Sequence, residues 1–263
     1  MYCKNFFLVL ILLSLSTLSY ADEKTVKIAT LEDYAPFCLK IGEKTKSNQI
    51  IPVGTDAMGF KGYSWDVLRE SFHLMGYTIN LSITPWVRAM EDVINGKADI
   101  LFPTGKNAER QMIFNYSDES INQANYIVYV RVDDQIEWKG LESLKGRTIG
   151  VKRGFSYGDK WKAATGIKKY DVATILQGFK MLNLKRLDGF LGYEYNWDYI
   201  LKQENWKTKY RKLPAFDSAA EYLVALKNNP NGKKILKAFD AGKKRLIKNG
   251  KLEEIKNKWF GNQ

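Results

Sequence analysis

The chain of 263 residues is basic, with 41 lysines and arginines against 29 aspartates and glutamates and a formal net charge of +12. It contains one histidine and two cysteines, which argues against a zinc site or a Cys/His nucleophile pair, because such sites need several of these side chains. The lysines are spread over amphipathic segments, so the charge indicates a solvated basic face. We expect no metal, no cofactor and no nucleic-acid partner.

Residues 1–21 are typical of a secretory signal. Lys4 precedes an apolar run over residues 6–15, and small residues lead to a cleavage site after Ala21. The run is shorter than the about 20 apolar residues that span a bilayer. We therefore expect an exported, periplasmic protein, in which the one remaining cysteine, Cys38, is a small buried apolar residue.

Strands and helices are predicted to alternate in the first part of the chain. Residues 26–30 and 77–83 have the pattern of strands, and residues 65–75 repeat apolar side chains at helical spacing after Ser64, a good N-cap. Residues 42–59 are predicted to form an irregular loop or hairpin. With the helix and strand that follow, this order favours a parallel α/β sheet.

Arg110 follows a predicted helix, a buried strand over residues 98–102 and a tight turn ending at Gly105. The loop after such a strand opens at the carboxyl edge of a sheet, where α/β folds bind ligands. A guanidinium there can hold a carboxylate with two parallel hydrogen bonds, supported by backbone N–H groups of the turn. The alternative is a surface arginine paired with Glu109 or Asp118.

The second part of the chain starts with a long β run over residues 126–132. A new strand over 148–151 leads to a loop of small residues, 154–158, whose N–H groups and hydroxyl suit an anionic group. A helix is predicted from Asp171, and the strand after it repeats the pattern of the strand before Gly105. The repetition indicates two similar lobes that face a shared cleft, with residues 221–227 as the return crossing.

Several segments in a characteristic order resemble those of one family, the bacterial extracellular solute-binding proteins of family 3, best known as polar amino-acid receptors of ABC importers. These segments are IATLEDYAPF (28–37), GYSWDVLRES (62–71), GKADILFPTGKNAER (96–110), FNYSD (114–118), GRTIGVKRGFSY (146–157), RLDGFL (186–191) and KNGKLEEIKNKWFG (248–261). The resemblance implies a two-lobed α/β periplasmic binding protein (type II), with two crossing strands as the hinge. Lobe 1 would comprise residues 22–128 plus 222–263, and lobe 2 residues 129–221.

The resemblance also implies roles for individual residues. Arg110 would hold a ligand carboxylate, assisted by backbone N–H groups near Gly105 and by the hydroxyl of Ser156. Tyr34 and Trp86 would pack around the body of the ligand; the alternative for Trp86 is a place in the lobe core.

Two departures from the family pattern concern the ligand's amine. Tyr193 stands where amino-acid binders usually carry an aspartate that pairs with the ammonium, and Glu194 is adjacent. Leu31 replaces the acidic residue of the first loop. Because an unpaired buried charge is costly, either Glu194 or Asp188 turns in as the counter-charge, or the ligand is not a standard α-amino acid.

The sequence therefore predicts a binding protein that captures a small carboxylate-bearing solute, such as an amino acid, between its lobes. Its partner would be an ABC permease or a membrane sensor domain, and we expect a monomer without enzymatic activity. The alternative is a periplasmic dehydratase-like enzyme acting on a small cyclic carboxylate, with Glu194 or Asp188 as the general acid.

Overall fold

The computed structural model describes residues 24–42 and 45–261. The predicted signal, residues 1–21, and its cleavage site lie outside the described residues. None of the helices in the described part of the chain combines the length and the apolarity that a membrane crossing requires.

The strands of the described chain, in order, are β1 (Lys24–Thr30), β2 (Asp33–Tyr34), β3 (Cys38–Lys40), β4 (Asn48–Ile51), β5 (Phe60–Lys61), β6 (Tyr77–Ile83), β7 (Ile100–Gly105), β8 (Phe114–Tyr116), β9 (Asn122–Arg131), β10 (Thr148–Lys152), β11 (Lys168–Val172), β12 (Gly189–Tyr193), β13 (Tyr210–Lys212) and β14 (Asp217–Leu226). The helices are α1 (Tyr63–Leu74), α2 (Trp86–Ile94), α3 (Ala108–Ile113), α4 (Gly158–Ala163), α5 (Ile175–Asn183), α6 (Glu194–Gln203), α7 (Gly232–Lys248) and α8 (Lys251–Phe260). Short 3₁₀ turns occur at Leu141–Leu144 and Lys207–Lys209.

Most of these strands join one mixed sheet in the order β11-β10-β12-β9-β14-β7-β1-β6-β4, with β13 beside β9 and β8 beside β14. Towards one end β1 pairs in parallel with β6 and β7. Towards the other end β10 pairs in parallel with β11 and β12. Parallel pairing requires a crossover connection, here a helix between successive strands, so the sheet carries the two α/β units that the alternating pattern predicted.

Two long antiparallel strands at the middle of the sheet join these two units. The first half of β9 pairs with β14, where Asn122 lies opposite Glu221 and Tyr126 opposite Asp217. The second half of β9 pairs with β12. Strand β14 then continues to β7, where Glu221 lies opposite Gly105. The described chain thus forms two α/β lobes joined by two crossing strands.

The predicted lobe limits, 22–128 plus 222–263 and 129–221, stay a prediction. Both internal limits fall within β9 and β14, the strands that pair with both lobes.

Each lobe has its own apolar core. In lobe 1, α1 and α7 pack against each other on the sheet, and the rings of Trp65 and Phe72 are fully buried there. In lobe 2, Phe179, Phe190 and Trp197 are fully buried. Burying one large apolar side chain stabilises a fold by about 1.5–3 kcal/mol, so each lobe is stabilised by an apolar core of its own.

The predicted start of the first helix is wrong. The N-cap of α1 is Gly62, not Ser64. Gly62 has φ of 151°, and a Cβ atom there would overlap the carbonyl of Phe37, so the close approach of two chain segments requires glycine. Ser64 is buried, and its Oγ accepts a hydrogen bond from Asn122 Nδ2 at 3.0 Å.

The predicted tight turn ending at Gly105 is wrong, because residues 103–105 continue β7 and Thr104 and Gly105 pair with Tyr222 and Glu221 of β14.

Two further local predictions need correction. Residue Asp171 does not begin a helix, because it lies in β11 and pairs with β10. Helix α5 begins at Ile175, after the N-cap Thr174, whose hydroxyl accepts a hydrogen bond from Gln177 N at 3.1 Å. The segment 42–59, predicted as an irregular loop or hairpin, contributes the edge strand β4, which pairs antiparallel with β6.

Candidate functional site

The end of β7 in lobe 1 carries a positive charge. Asn107 caps α3 by accepting a hydrogen bond from Arg110 N at 2.8 Å, which places Arg110 in the first turn of that helix. Its Nη1 donates to Gly105 O at 3.2 Å, and its guanidinium carbon lies 5.4 Å from the ring centroid of Trp86. The backbone carbonyl and the aromatic face hold the guanidinium beside the strand end.

The alternative for Arg110, a surface arginine paired with an acidic neighbour, is not what the structure shows. Within residues 24–42 and 45–261, neither Glu109 nor Asp118 forms a salt bridge with Arg110. Trp86 is partly buried and packs on the cluster that contains Ala89, Val93 and other apolar residues of lobe 1. It therefore belongs to the lobe core along one part of its ring and supports the arginine along another.

The end of β12 in lobe 2 carries aromatic rings instead. The Tyr193 ring stacks on Phe155 at a centroid distance of 4.9 Å and on Tyr126 at 5.4 Å. Its hydroxyl donates to Ser156 O at 2.7 Å, while Ser156 itself is exposed. Strand end and loop are thereby tied together by the phenol of Tyr193.

Tyr34 of lobe 1 completes this group. Its ring centroid lies 6.3 Å from Tyr193 and 6.4 Å from Phe155, both in edge-to-face geometry. We call Tyr34, Tyr126, Phe155 and Tyr193 the cleft aromatic cluster, since it joins the two lobes beside the crossing strands. Burial raises the pKa of the phenols of Tyr34 and Tyr193 well above the usual value, so both remain neutral hydrogen-bonding groups at physiological pH.

Further contacts join the lobes next to this cluster. Asn196 Nδ2 of α6 donates a short hydrogen bond to Ala35 O of lobe 1. The ring of Tyr195 packs on Phe37 at 6.2 Å and on Phe260, near the end of α8, at 4.4 Å. The cleft is thus closed on this side by direct contacts between lobes.

Glu221 is a site residue that the sequence analysis missed. It lies on β14 opposite both Gly105 and Asn122, and its Oε2 accepts a hydrogen bond from Tyr34 Oη at 3.1 Å. Burial raises its pKa to about 7, although Asn122, Tyr34 and Arg110 all favour the charged form. The sequence placed this residue at the start of a return strand, but nothing local to the run EYLVALK indicated that its carboxylate faces the cleft.

Glu194 is held on a different face. Its Oε2 accepts from Asn125 Nδ2 at 3.0 Å and its Oε1 from Lys212 Nζ at 2.8 Å, and these partners help to lower its pKa against the effect of burial. Asn125 and Tyr126 are successive residues of β9, so their side chains point to opposite faces of the sheet. Glu194 therefore lies across the sheet from the cleft aromatic cluster.

Asp188, the other candidate counter-charge, serves the backbone. Its Oδ2 accepts a hydrogen bond from Thr148 N at 2.8 Å, and its own N–H donates to Thr148 O at 2.8 Å. These bonds attach the start of β12 to β10. The carboxylate of Asp188 therefore lies at the opposite end of β12 from Tyr193.

The structure brings the predicted site residues together in two groups. Trp86, Gly105 and Arg110 are in contact in lobe 1, and Tyr34, Ser156 and Tyr193 are in contact across the cleft. Glu221 links the groups through its hydrogen bond to Tyr34 and its pairing with Gly105. Glu194 is not brought together with either group, and its role as a ligand residue stays a prediction.

No cluster of three or more metal-ligating His, Cys, Asp or Glu side chains occurs in the described part of the chain. Cys38 is buried in the core of lobe 1, as predicted, and burial raises the pKa of its thiol. A thiol in such surroundings is an apolar packing residue rather than a nucleophile.

The fold resembles that of several solved structures. The probable amino-acid ABC transporter extracellular-binding protein ytmK from Bacillus subtilis aligns with a TM-score of 0.72 and 18% identity, over 91% of this chain and 99% of that one. A histidine kinase sensor domain with similarity to periplasmic binding proteins gives a TM-score of 0.70 and 19% identity, over 91% and 98% of the two chains. An ABC uptake transporter substrate-binding protein from Streptococcus pneumoniae, with bound histidine, gives 0.68 and 18%, over 90% and 93%.

At these identities the likeness establishes the fold, a two-lobed periplasmic binding protein, and confirms that prediction. No curated protein sequence matches the chain significantly. The model of the family described as bacterial extracellular solute-binding proteins, family 3, matches residues 26–262, nearly the whole described chain. The chain therefore belongs to the bacterial extracellular solute-binding proteins of family 3.

Proposed function

We propose that this protein captures a small solute through its carboxylate, with Arg110 as the anchoring residue, and delivers it to a membrane partner. The observation that carries the proposal is the state of Arg110: its guanidinium is held by Gly105 O and the face of Trp86, with no salt bridge to a carboxylate in the described chain. A planar guanidinium whose remaining donors are not used by an acidic side chain is suited to bidentate binding of a carboxylate.

The groups around Arg110 support the same function. Gly105 is the last residue of β7, and a Cβ atom on it would meet no other atom within 4 Å, so the space beside the strand end is open. Backbone N–H groups near Gly105 would support the carboxylate. Across the cleft, the exposed Ser156 hydroxyl and the ring of Tyr193 would complete the enclosure, and Tyr34 and Trp86 would pack against the body of the solute. Glu194 would contribute only indirectly, through Asn125 of β9, which donates a hydrogen bond to its carboxylate.

The family supports an extracellular location and a solute-binding role. Of the similar structures, one belongs to an ABC uptake transporter and another to a histidine kinase sensor domain. Both kinds of partner fit the proposal: an ABC permease that receives the solute, or a membrane sensor that reads the closed state. We propose that the protein acts as a monomer, and binding rather than turnover is proposed because the family is one of binding proteins.

The first experiment is a thermal-shift screen of the purified protein against the twenty standard amino acids, small carboxylates and short peptides. A solute at 100 times its dissociation constant stabilises the folded state by about 2.7 kcal/mol, which corresponds to a rise in melting temperature of about 5–11 °C for a chain of this size. Each solute that produces a shift is then titrated by calorimetry.

The variant Arg110→Ala should weaken the binding of that solute by at least about a hundredfold, because it removes a charge-assisted, bidentate contact. Arg110→Lys keeps the charge without the planar fork and should lose about tenfold. Arg186→Ala, which removes an exposed arginine of lobe 2, is the matched control and should bind as the wild type does. Normal binding by a folded Arg110→Ala protein would contradict the proposed anchor.

A further inference from the structure

Glu221 is partly buried. Its carboxylate has no role in the proposed capture of a solute carboxylate by Arg110. It lies at the seam between the lobes, at the residue where β14 leaves β9 and begins to pair with β7. Its register partner in β7 is Gly105, the residue whose carbonyl holds Arg110. Glu221 therefore lies beside the strand end that we propose for the solute's own carboxylate, and the charge of Arg110 favours its ionised form.

The titratable groups that face Glu221 come from every element packed against it. They are Tyr34 of β2, Cys38 of β3, Tyr126 of β9, Tyr193 of β12 and Arg110 of α3. The phenols and the thiol are neutral at physiological pH, since each of their pKa values is raised by burial first of all. Arg110 is the one cation in this set, and no lysine or arginine of the described chain forms a salt bridge with Glu221.

No positively charged side chain of the described chain thus forms a salt bridge with Glu221, but its surroundings are suited to binding a cation. Three tyrosine rings lie around the carboxylate, and the faces of aromatic rings attract cations by their quadrupole. A buried carboxylate without a cation is costly in its charged form, and the raised pKa of Glu221, about 7, reflects that cost. A positively charged group that entered the cleft would contact both the carboxylate and the rings.

We propose that Glu221 binds a cationic amine of the solute, so that the protein selects solutes that carry both a carboxylate and an amine. This inference rests on the proposed function, because it takes the cleft between Arg110 and the cleft aromatic cluster as the binding site. It assigns the amine to the crossing strand β14, where neither Glu194 nor Asp188 reaches.

Proton release follows from this assignment. Below about pH 7 the carboxyl group of Glu221 carries a proton in the free protein. An ammonium group stabilises the charged form, so the proton leaves to the buffer as the solute binds. Affinity should therefore rise about tenfold for each pH unit up to about pH 7 and stay constant above it.

The test uses matched solutes and two variants. Wild type, Glu221→Gln and Glu254→Gln are titrated at pH 5.5, 6.5, 7.5 and 8.5 with the standard amino acids and with glutarate, succinate and propionate, which are glutamate, aspartate and alanine without the amine. Glu254→Gln removes a carboxylate paired with Lys251 on the exposed face of α8 and is the charge control. Calorimetry of the wild type at pH 6 in two buffers of different ionisation enthalpy measures the protons released, and this measurement needs no variant.

We expect the tightest solute to carry an amine and to lose at least about thirtyfold in affinity when the amine is absent, because one partner of a buried charge pair is then missing. Glu221→Gln should lose a similar factor for that solute, lose the pH dependence, and bind the amine-free carboxylate as the wild type does at pH 5.5, where Glu221 carries a proton. The proposal is overturned if no amine-bearing solute binds, if amine-free carboxylates bind equally well, or if Glu221→Gln keeps the amine preference and the pH slope.

The variants Arg110→Ala and Glu221→Gln distinguish a failure of this inference from a failure of the proposed function. If Arg110→Ala abolishes binding while Glu221→Gln changes nothing, the carboxylate anchor stands and the amine assignment fails. If Glu221→Gln abolishes amine binding while Arg110→Ala binds normally, the amine assignment stands and the anchor fails.

Discussion

Each lobe contains an aspartate, just before a central parallel strand, that hydrogen-bonds the backbone of the neighbouring parallel strand. In lobe 1 the N–H of Asp99 donates to Lys27 O at 2.8 Å and its Oδ2 accepts from Lys27 N at 3.0 Å. In lobe 2 Asp188 makes the same two bonds with Thr148, each at 2.8 Å. The repeated sequence pattern of a helix, a basic residue, an aspartate and a strand is therefore a repeated piece of backbone architecture, in which each aspartate hydrogen-bonds the neighbouring strand.

The other ends of the same two strands differ. Strand β7 ends at Gly105, where the space beside the backbone is open and Arg110 is held. Strand β12 ends at Gly192 and Tyr193, where the backbone packs directly on the ring of Trp197 and the phenol enters the cleft aromatic cluster. One scaffold thus presents a charge in lobe 1 and aromatic rings in lobe 2: the starts of the two strands are alike, and their ends, where we propose the site, differ.

The largest expected effect comes from adding one methyl group at the two strand ends. Gly192→Ala should destabilise the protein by about 3 kcal/mol, because the new Cβ would overlap the buried indole of Trp197. Gly105→Ala should change the free energy of unfolding by less than about 0.5 kcal/mol, since its Cβ meets nothing within 4 Å. Urea unfolding of both variants measures the difference, and equal losses would contradict the contrast between closed and open strand ends.

A smaller effect is expected at the seam between the lobes. The pKa of Glu221, about 7 in the folded protein, lies above its usual value of 4.5, so the folded state holds this proton more tightly than the unfolded state does. The stabilisation from this group is complete below about pH 4.5 and is lost as the pH rises through about 7. Relative to wild type, Glu221→Gln should therefore gain about 1–3 kcal/mol of stability between pH 5 and pH 8.

The measurement is the difference in unfolding free energy between Glu221→Gln and wild type at several pH values, in which the titration of all other groups cancels. A difference that stays constant between pH 5 and pH 8 would mean that Glu221 is well solvated in the absence of solute.

The smallest effect should be similar in both lobes. Asp99→Ala and Asp188→Ala each remove one side-chain bond to a backbone N–H, and each should cost about 1 kcal/mol. Asp99→Ala should cost slightly more, because Asp99 Oδ1 also accepts a hydrogen bond from Asn229 Nδ2 at 3.3 Å. Glu137→Ala, which removes an exposed carboxylate, is the control and should change stability by less than about 0.5 kcal/mol. Solute binding should survive in both aspartate variants. If Asp188→Ala keeps its stability and loses binding, the aspartate serves the solute and the two strand starts are not equivalent.

Much of the fold could be predicted from the sequence because its signals are local. The alternating strands and helices and the repeat around Asp99 and Asp188 are read within about 15 residues, which is the range over which periodicity and capping report structure. Where two local signals overlapped, the prediction was wrong: Val172 continues a helical spacing with Ile175, yet its side chain is buried in the sheet as part of β11.

The carboxylates show what only the tertiary structure decided. Glu194 is adjacent to Tyr193 in sequence, but the pleat of β9 places its partner Asn125 and the ring of Tyr126 on opposite faces. Glu221 is 187 residues from Tyr34, and the pairing of β14 with β9 and β7 brings the two into contact. A strand's own residues do not specify which strands flank it, so the environment of Glu221, and with it the chemistry of the cleft, arises only when the two lobes assemble around their crossing strands.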